Sequence, residues 1–339
     1  MTTSASTIEE SQGASWRSAL TREEVKSLLE FHDLRSWLSV LTNWGLVFAA
    51  FALVAVWPNP LAVVAAVFVI GARQLGCAVL MHEASHRSLF RERTLNDWVG
   101  NWLCAYPIWS DLTPYRPYHL QHHAKTGKPE DPDIGLIRPF PITRHSFRRK
   151  VWRDLSGQTG RKFATGAWKR TFGRYGIDAV ARRAAQGVVV TNLVLFGILV
   201  AAGYPALYLL WVGAWLTTHT LVTRIRAIAE HALTPNQNDP LGNTRTTRVR
   251  WWERLLLAPN GVNYHLEHHL LMTVPHYNLA RMHRVLGERG ILDRACVAPS
   301  YWHVLRNATS GDDAAGPAQQ DDDAGGISQV NGFFASAGD

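Results

Sequence analysis

Four apolar stretches, at residues 38–57, 61–81, 188–202 and 206–222, limit what this chain of 339 residues can fold into. Each approaches the roughly 20 residues that a helix needs to cross the hydrocarbon core of a bilayer. The mean hydropathy of -0.10 conceals them, because the sequence between and after them is polar and rich in arginine. Pro58-Asn59-Pro60 joins the first pair and Gly203-Tyr204-Pro205 the second, so two helical hairpins are expected. Neither turn carries Lys or Arg, whereas Arg17, Arg22, Lys26 and Arg35 precede or open the first stretch. Arginines are also dense across 144–183 and 224–254. The positive-inside rule then places both termini and the middle segment in the cytoplasm. The net charge of +8 reads as an orientation signal and not as a nucleic-acid-binding surface. Arg73 and Gln74 interrupt the second stretch and are expected to face the bundle interior and not lipid.

Other features bound the domain. Thr21-Arg22-Glu23-Glu24 fits a capping box that opens a helix leading into the first stretch. The segment 95–109 is apolar but too short to span and is broken by Pro107, as in a re-entrant or interfacial helix. Cys77, Cys104 and Cys296 show no framework spacing, so no structural disulfide is expected. Residues 1–15 lack the apolar core of a signal peptide and read as a disordered N-terminus. Residues 306–339 read as a disordered tail rich in Gly, Ala, Asp and Gln, which leaves 16–305 as one domain.

Eight histidines fall into three tight clusters: His82 and His86 in HEASH, His119, His122 and His123 in HLQHH, and His265, His268 and His269 in HLEHH. On a helix, positions i, i+3 and i+4 share a face, so each cluster can aim several imidazoles at one place. All three fall on the arginine-rich side of the apolar stretches, which argues that they form one site. A zinc site is filled by about four ligands, so eight converging imidazoles suggest two metal ions. His231, just past the fourth stretch, is a ninth candidate; an interfacial histidine paired with a lipid or a carboxylate is the competing reading. Glu83, Glu230 and Glu267 adjoin these ligands, and Asp131 and Asp133 follow the second cluster. Such acids suit the role of holding a ligand histidine by its other ring nitrogen.

Two iron ions in such a site could activate dioxygen and remove hydrogen from an unactivated C–H bond, chemistry that redox-inert zinc does not support. A site at the membrane surface suits a lipid substrate. His82-Glu83 with His86 also matches the zinc metalloprotease motif, with Glu83 as base, but that leaves six clustered histidines unexplained. A metal transporter would place its site near the bilayer midplane, where only His219 stands.

The order HxxxH, HxxHH, HxxHH resembles the integral-membrane fatty acid desaturase and hydroxylase superfamily. The flanking Glu130-Asp131-Pro132-Asp133, Asn263-Tyr264 and Val274-Pro275-His276-Tyr277-Asn278-Leu279 are similar to its pattern, over roughly residues 35–290. The resemblance implies an all-α integral-membrane fold of four transmembrane helices in two hairpins, with a cytoplasmic helical cap holding a di-iron centre. It implies nine ligands, His82, His86, His119, His122, His123, His231, His265, His268 and His269. Glu83, Asp131, Glu230, Asn263 and Glu267 would support them. The activity implied is oxygen-dependent desaturation of a lipid acyl chain, with a lipid hydroxylase or carotenoid ketolase as the alternative. No HPGG haem-binding core is found, so electrons are expected from a separate ferredoxin, or from a cytochrome with its reductase. Ala227 stands where some relatives carry Asn near the ninth ligand, and the third box opens on His265 where front-end desaturases have Gln. His32, His145, His276, His283 and His303 belong to no cluster and read as surface or packing residues.

Overall fold

The computed structural model describes residues 16–172 and 179–311. The readings of residues 1–15, and of the tail beyond 311, lie outside them. The capping box forms: Thr21 Oγ1 accepts the Glu24 N–H at 3.2 Å, and the Glu24 carboxylate accepts the Thr21 N–H at 2.8 Å. It opens only a short helix, α1 (Arg22–Leu28), and the chain restarts as α2 (Asp33–Val56). The expected continuous helix into the first apolar stretch is therefore broken at residues 29–32.

The first hairpin is closed by Asn59. Its side-chain oxygen accepts the N–H groups of Leu61 and Ala62, both at 3.1 Å, and Pro60 occupies the first position of α3 (Pro60–Ser85). Proline fits there because that N–H has no helical partner. Val47, Ala50, Phe51 and Val54 of α2 pack on Ala62, Ala66 and Ile70 of α3. With 26 residues, α3 extends about 39 Å at about 1.5 Å per residue, beyond the roughly 30 Å of hydrocarbon. Its apolar run ends at Met81, and His82 follows directly. Arg73 and Gln74 are buried, as expected: Arg73 donates to the Leu255 carbonyl, and Gln74 donates to the Trp211 carbonyl at 2.9 Å.

Beyond α3 the chain forms α4 (Arg93–Val99), a π-helical turn over Gly100–Ala105 and a 3₁₀ turn over Tyr106–Ile108. The changing helical pitch accounts for the short stretch at 95–109. Trp44 and Trp215 indoles satisfy the Leu103 and Ile108 carbonyls it leaves free, at 3.0 and 2.9 Å. Next come α5 (Leu112–Lys125), α6 (Ile134–Ile137), the arginine-bearing α7 (Arg144–Leu155), α8 (Gln158–Phe172) and the apolar α9 (Ala179–Ala201).

Among the described residues three helices, α2, α3 and α9, are long and apolar enough to cross a membrane. Leu38, Leu41 and Val64 of the first hairpin and Val189, Leu193 and Val194 of α9 are exposed. Apolar faces of this extent, left uncovered by protein, fit lipid. Trp57 and Tyr204 are exposed beside the two hairpin turns, where membrane proteins carry interfacial aromatics.

The fourth apolar stretch departs from expectation. It is not one helix but a 3₁₀ turn, α10 (Tyr208–Leu216) and α11 (Thr218–His231), separated at Thr217 (φ -123, ψ -83). The two pieces nonetheless run beside α3. Thr218 Oγ1 donates to the Val67 carbonyl at 2.7 Å, and further along Val222 packs with Leu75 and Val79. Gly71 makes the approach possible, since a Cβ there would lie 2.2 Å from Thr218 Oγ1 and 2.8 Å from the His219 nitrogen.

The C-terminal region runs β1 (Thr246–Thr247), α12 (Trp251–Leu256), α13 (His265–Leu270), α14 (His276–Glu288), β2 (Val297–Ala298) and α15 (Tyr301–Ala308), with β1 and β2 pairing in parallel. α15 continues to Ala308. Ile142 pairs with this end of the chain, donating to the Ala308 carbonyl at 2.9 Å and accepting the Gly311 N–H at 3.1 Å. All three cysteines are free.

Gly71→Ala should lower stability by about 1–3 kcal/mol through overpacking against Thr218. Gly45→Ala, with nothing within 4 Å, should be near neutral. Thermal unfolding in detergent compares the two, and equal melting temperatures would remove the close contact.

Candidate metal centre

Four segments deliver the histidines to one place. His82 lies in the last turn of α3 and His86 is its C-cap. α5, started by the Asp111 side chain on the Thr113 N–H, carries His119, His122 and His123. His231 ends α11, and the six-residue α13 presents His265, His268 and His269. All nine predicted ligands come together, and they sort into two groups. His82, His86, His119, His123 and His268 form one; His122, His231, His265 and His269 form the other, with ligand atoms in each within 4.8 Å of one another.

Helix geometry explains the sorting. Successive residues lie about 100° apart around the axis, while i and i+4 differ by about 40°. His119 and His123 therefore serve one group while His122 serves the other. In α13 the pair His265 and His269 serves the four-histidine group, and His268 crosses to the five. The two groups adjoin, with the His123 and His269 rings stacked at 4.1 Å.

The donor set fits metal ions. Nε2 of His119 and His123 are 2.9 Å apart, those of His123 and His268 3.1 Å, and those of His231 and His265 2.9 Å. Two imidazoles at about 2.1 Å from one ion and at right angles have nitrogens about 3.0 Å apart; a tetrahedral pair would stand about 3.4 Å apart. Both ring nitrogens of His86 and Nε2 of His269 are buried without a hydrogen-bond partner, an arrangement that ligation would satisfy. Five imidazoles also exceed the four of a structural zinc site.

Burial controls protonation. It holds His86, His119, His123, His231, His265, His268 and His269 well below the ordinary histidine value, helped by neighbouring positive charge. These rings are neutral near pH 7, the state that binds metal. His122 is the exception: burial pulls it down, but Asp133 and Asp131 outweigh that and leave it raised.

The acids play different parts. Asp131 accepts from His122 Nδ1 at 2.8 Å and is itself held by the Gly127 and Asp133 N–H groups. That bond turns the other nitrogen of His122 toward its group. Glu83 stands 3.5 Å from His82 Nδ1. Glu230 lies 3.5 Å from His265 Nε2, the inward nitrogen, so it borders the four-histidine group and does not hold a ring from behind. Burial raises its carboxyl to about 7, against the pull of Arg226 at 2.5 Å. Asn263 and Glu267 bond framework groups and not the clustered rings: Asn263 donates to the Thr247 carbonyl, and Glu267 accepts from Thr246 and His283.

Several site residues escaped the sequence reading. Tyr118 and Arg226, which it missed, join the already named Asp133 with Glu230, His122 and His231 around a cavity of about 20 Å³ that opens on the four-histidine group. One water needs about 10–15 Å³ and several polar partners, and both are present. His276 and His283, taken as packing residues, touch Glu83 and Glu267 respectively. Their spacing of seven on one helix was the available signal.

The comparisons agree with this geometry. The fatty acid desaturase family model matches residues 58–298. The chain belongs to the fatty acid desaturase family. It is 30% identical over 246 residues to dihydrorhizobitoxine desaturase of Bradyrhizobium elkanii, covering 68% of each chain. It is 26% identical over 290 residues to an sn-1 oleoyl-lipid 12-desaturase of Synechocystis sp., covering 78% of this chain and 79% of that one. A chloroplastic omega-6 fatty acid desaturase of Glycine max is 23% identical over 294 residues, covering 78% and 65%. The matched region of this desaturase-family chain contains every histidine of both groups.

A pH dependence follows from the buried rings. In the unfolded chain histidine titrates near pH 6.5. Rings whose folded values are lowered contribute stability that is complete above about 6.5 and is lost progressively as pH falls toward those values. Seven such rings outnumber His122, whose raised value acts in the opposite sense. Lowering the pH from about 7.5 to about 5.5 should drop the melting temperature of metal-free protein by on the order of 10 °C. A flat or rising profile would show the rings to be solvated.

Proposed function

We propose that this protein is a membrane-bound, oxygen-dependent desaturase of lipid acyl chains that uses two histidine-held iron ions. The observation that carries the reading is the division of nine histidines, seven buried and two partly exposed, into groups of five and four at the end of an apolar helix. Bound iron would supply what the side chains lack, reduction of dioxygen to an oxidant able to break an unactivated C–H bond. In the overall change two adjacent carbons lose two hydrogens, and with two external electrons and two protons dioxygen becomes two waters. A ferredoxin, or a cytochrome with its reductase, would bring the electrons.

The chain's own residues prepare the site. Burial keeps most of the imidazoles neutral, Asp131 orients His122, and the end of α3 places His82 and His86 beside the apolar layer. The polar cavity at Tyr118, Asp133 and Arg226 is a place for product water on the four-histidine side. Lipid as substrate is supported by the exposed apolar faces and by relatives named as lipid desaturases.

Purified protein should hold two irons per chain. Membranes given labelled lipid and a reductase system should yield a product lighter by two hydrogens. His86→Ala and His265→Ala should each lower turnover by more than about 100-fold, the upper end of the loss seen when only a ligand's supporting partner is removed. One zinc in fully active enzyme, or a product that gains oxygen, would overturn the metal or the reaction.

Four crossings, with both termini and the histidines cytoplasmic, complete the proposal, the fourth made by α10 and the start of α11 despite their break. The arginine asymmetry supports it. In a cysteine-free variant of intact cells, an impermeant thiol reagent should label a cysteine at Asn59 and spare one at Ser310. Labelling of Ser310 from outside would reverse the orientation of the C-terminal end.

A further inference from the structure

α14 follows the third histidine cluster and supplies no ligand, yet it grips the acid inside each of two boxes. At its first turn the His276 N–H donates to Glu83 Oε2 at 2.9 Å, and the His276 ring stands 3.7 Å from the same oxygen. The other ring nitrogen of His276 meets Ser39 Oγ of α2 at 2.8 Å. Two turns later on the same face, His283 Nδ1 donates to Glu267 Oε1 at 2.5 Å. The second oxygen of Glu267 accepts from Thr246, and the carboxylate is fully buried.

These acids lie at revealing positions. Glu83 sits between His82 and His86, both in the five-histidine group, with its other oxygen 3.5 Å from His82 Nδ1. Glu267 sits in the middle of α13, a six-residue helix. A helix that short has little stability of its own and depends on tethers to keep its direction. α13 presents three ligands, two of them to the four-histidine group.

The far side of α14 is fixed as well. Asn278 donates to the Leu28 carbonyl at 2.9 Å, the His32 N–H donates to the Tyr277 hydroxyl at 2.8 Å, and Arg281 donates to Ser27 at 2.7 Å. Leu279, Met282 and Leu286 pack in a core with Leu266 and Leu270 of α13. The helix thus links two boxes that are far apart in sequence, at His82–His86 and His265–His269.

We propose that α14 is a brace that sets the separation of the two metal positions, with His276 positioning the first box for the five-histidine group and His283 positioning the third box chiefly for the four-histidine group. The proposal rests on the two-metal reading. Because its ends hold different boxes, loosening each end has a distinct signature.

Full-length enzyme is loaded with iron, challenged with a chelator, and followed by iron content and Mössbauer spectra. His283→Leu should lose one of two irons about 10–100-fold faster than the other, the scale seen when a residue supporting a ligand is removed. The iron retained should keep the spectrum of the five-histidine position, defined as the one perturbed in His86→Ala. His283→Asn, whose amide can replace the Nδ1 donor, should restore retention to within a few-fold. His276→Leu should instead speed loss of the iron at the five-histidine position. Turnover number should fall in both Leu variants with KM unchanged. If both irons stay as firmly held in His283→Leu as in the parent protein, or Asn fails to rescue a loss, the brace is overturned. Parent protein that binds no iron would instead overturn the two-metal reading itself.

Discussion

Nine imidazoles crowded together, seven of them buried and His123 and His269 only partly exposed, are the constraint on which this architecture depends. Each neutral ring has one nitrogen with a lone pair and one with a proton, and burying either unpaired costs free energy. Hydrogen bonds among the rings cannot satisfy them all, as the partnerless nitrogens of His86 and His269 show. Cations at the two convergence points would satisfy many at once. The elements around the centre hold the rings against their own unfavourable burial, and the length of α3, the Thr217 break and the tether on α13 are all seen in that light.

Much of this was legible in the sequence. The apolar runs foretold α2, α3 and α9 because a lipid-facing helix must be apolar around most of its circumference. The clusters foretold the centre because HxxHH places three rings on one side of a helix. What the pattern also contained, and a count of ligands did not extract, was the division between groups: neighbours 100° apart on a helix cannot share one ion.

The rest was hidden for physical reasons. No local signal marks Thr217, since the break is stabilised by the distant contacts of Thr218 with Val67 and Gly71. Arg226 looks like an ordinary basic residue after an apolar run until Glu230 and the cavity are in place. His276 and His283 stand outside the boxes, and their meaning depends on acids far away in sequence. Glu267 was singled out by adjacency to a ligand, but neighbouring residues on a helix point away from one another; Asn263, implied by the resemblance, precedes α13 and bonds the Thr247 carbonyl.

The unequal sharing of ligands also gives the two positions different histories along the chain. Four of the five histidines in the larger group occur by residue 123, on α3 and α5. Three of the four in the smaller group come from residue 231 onward. A chain emerging from the ribosome therefore has most of one coordination sphere in hand while the other is a single ring, His122. The two halves of the centre are written at opposite ends of synthesis, and the first to be encoded waits on His268 alone.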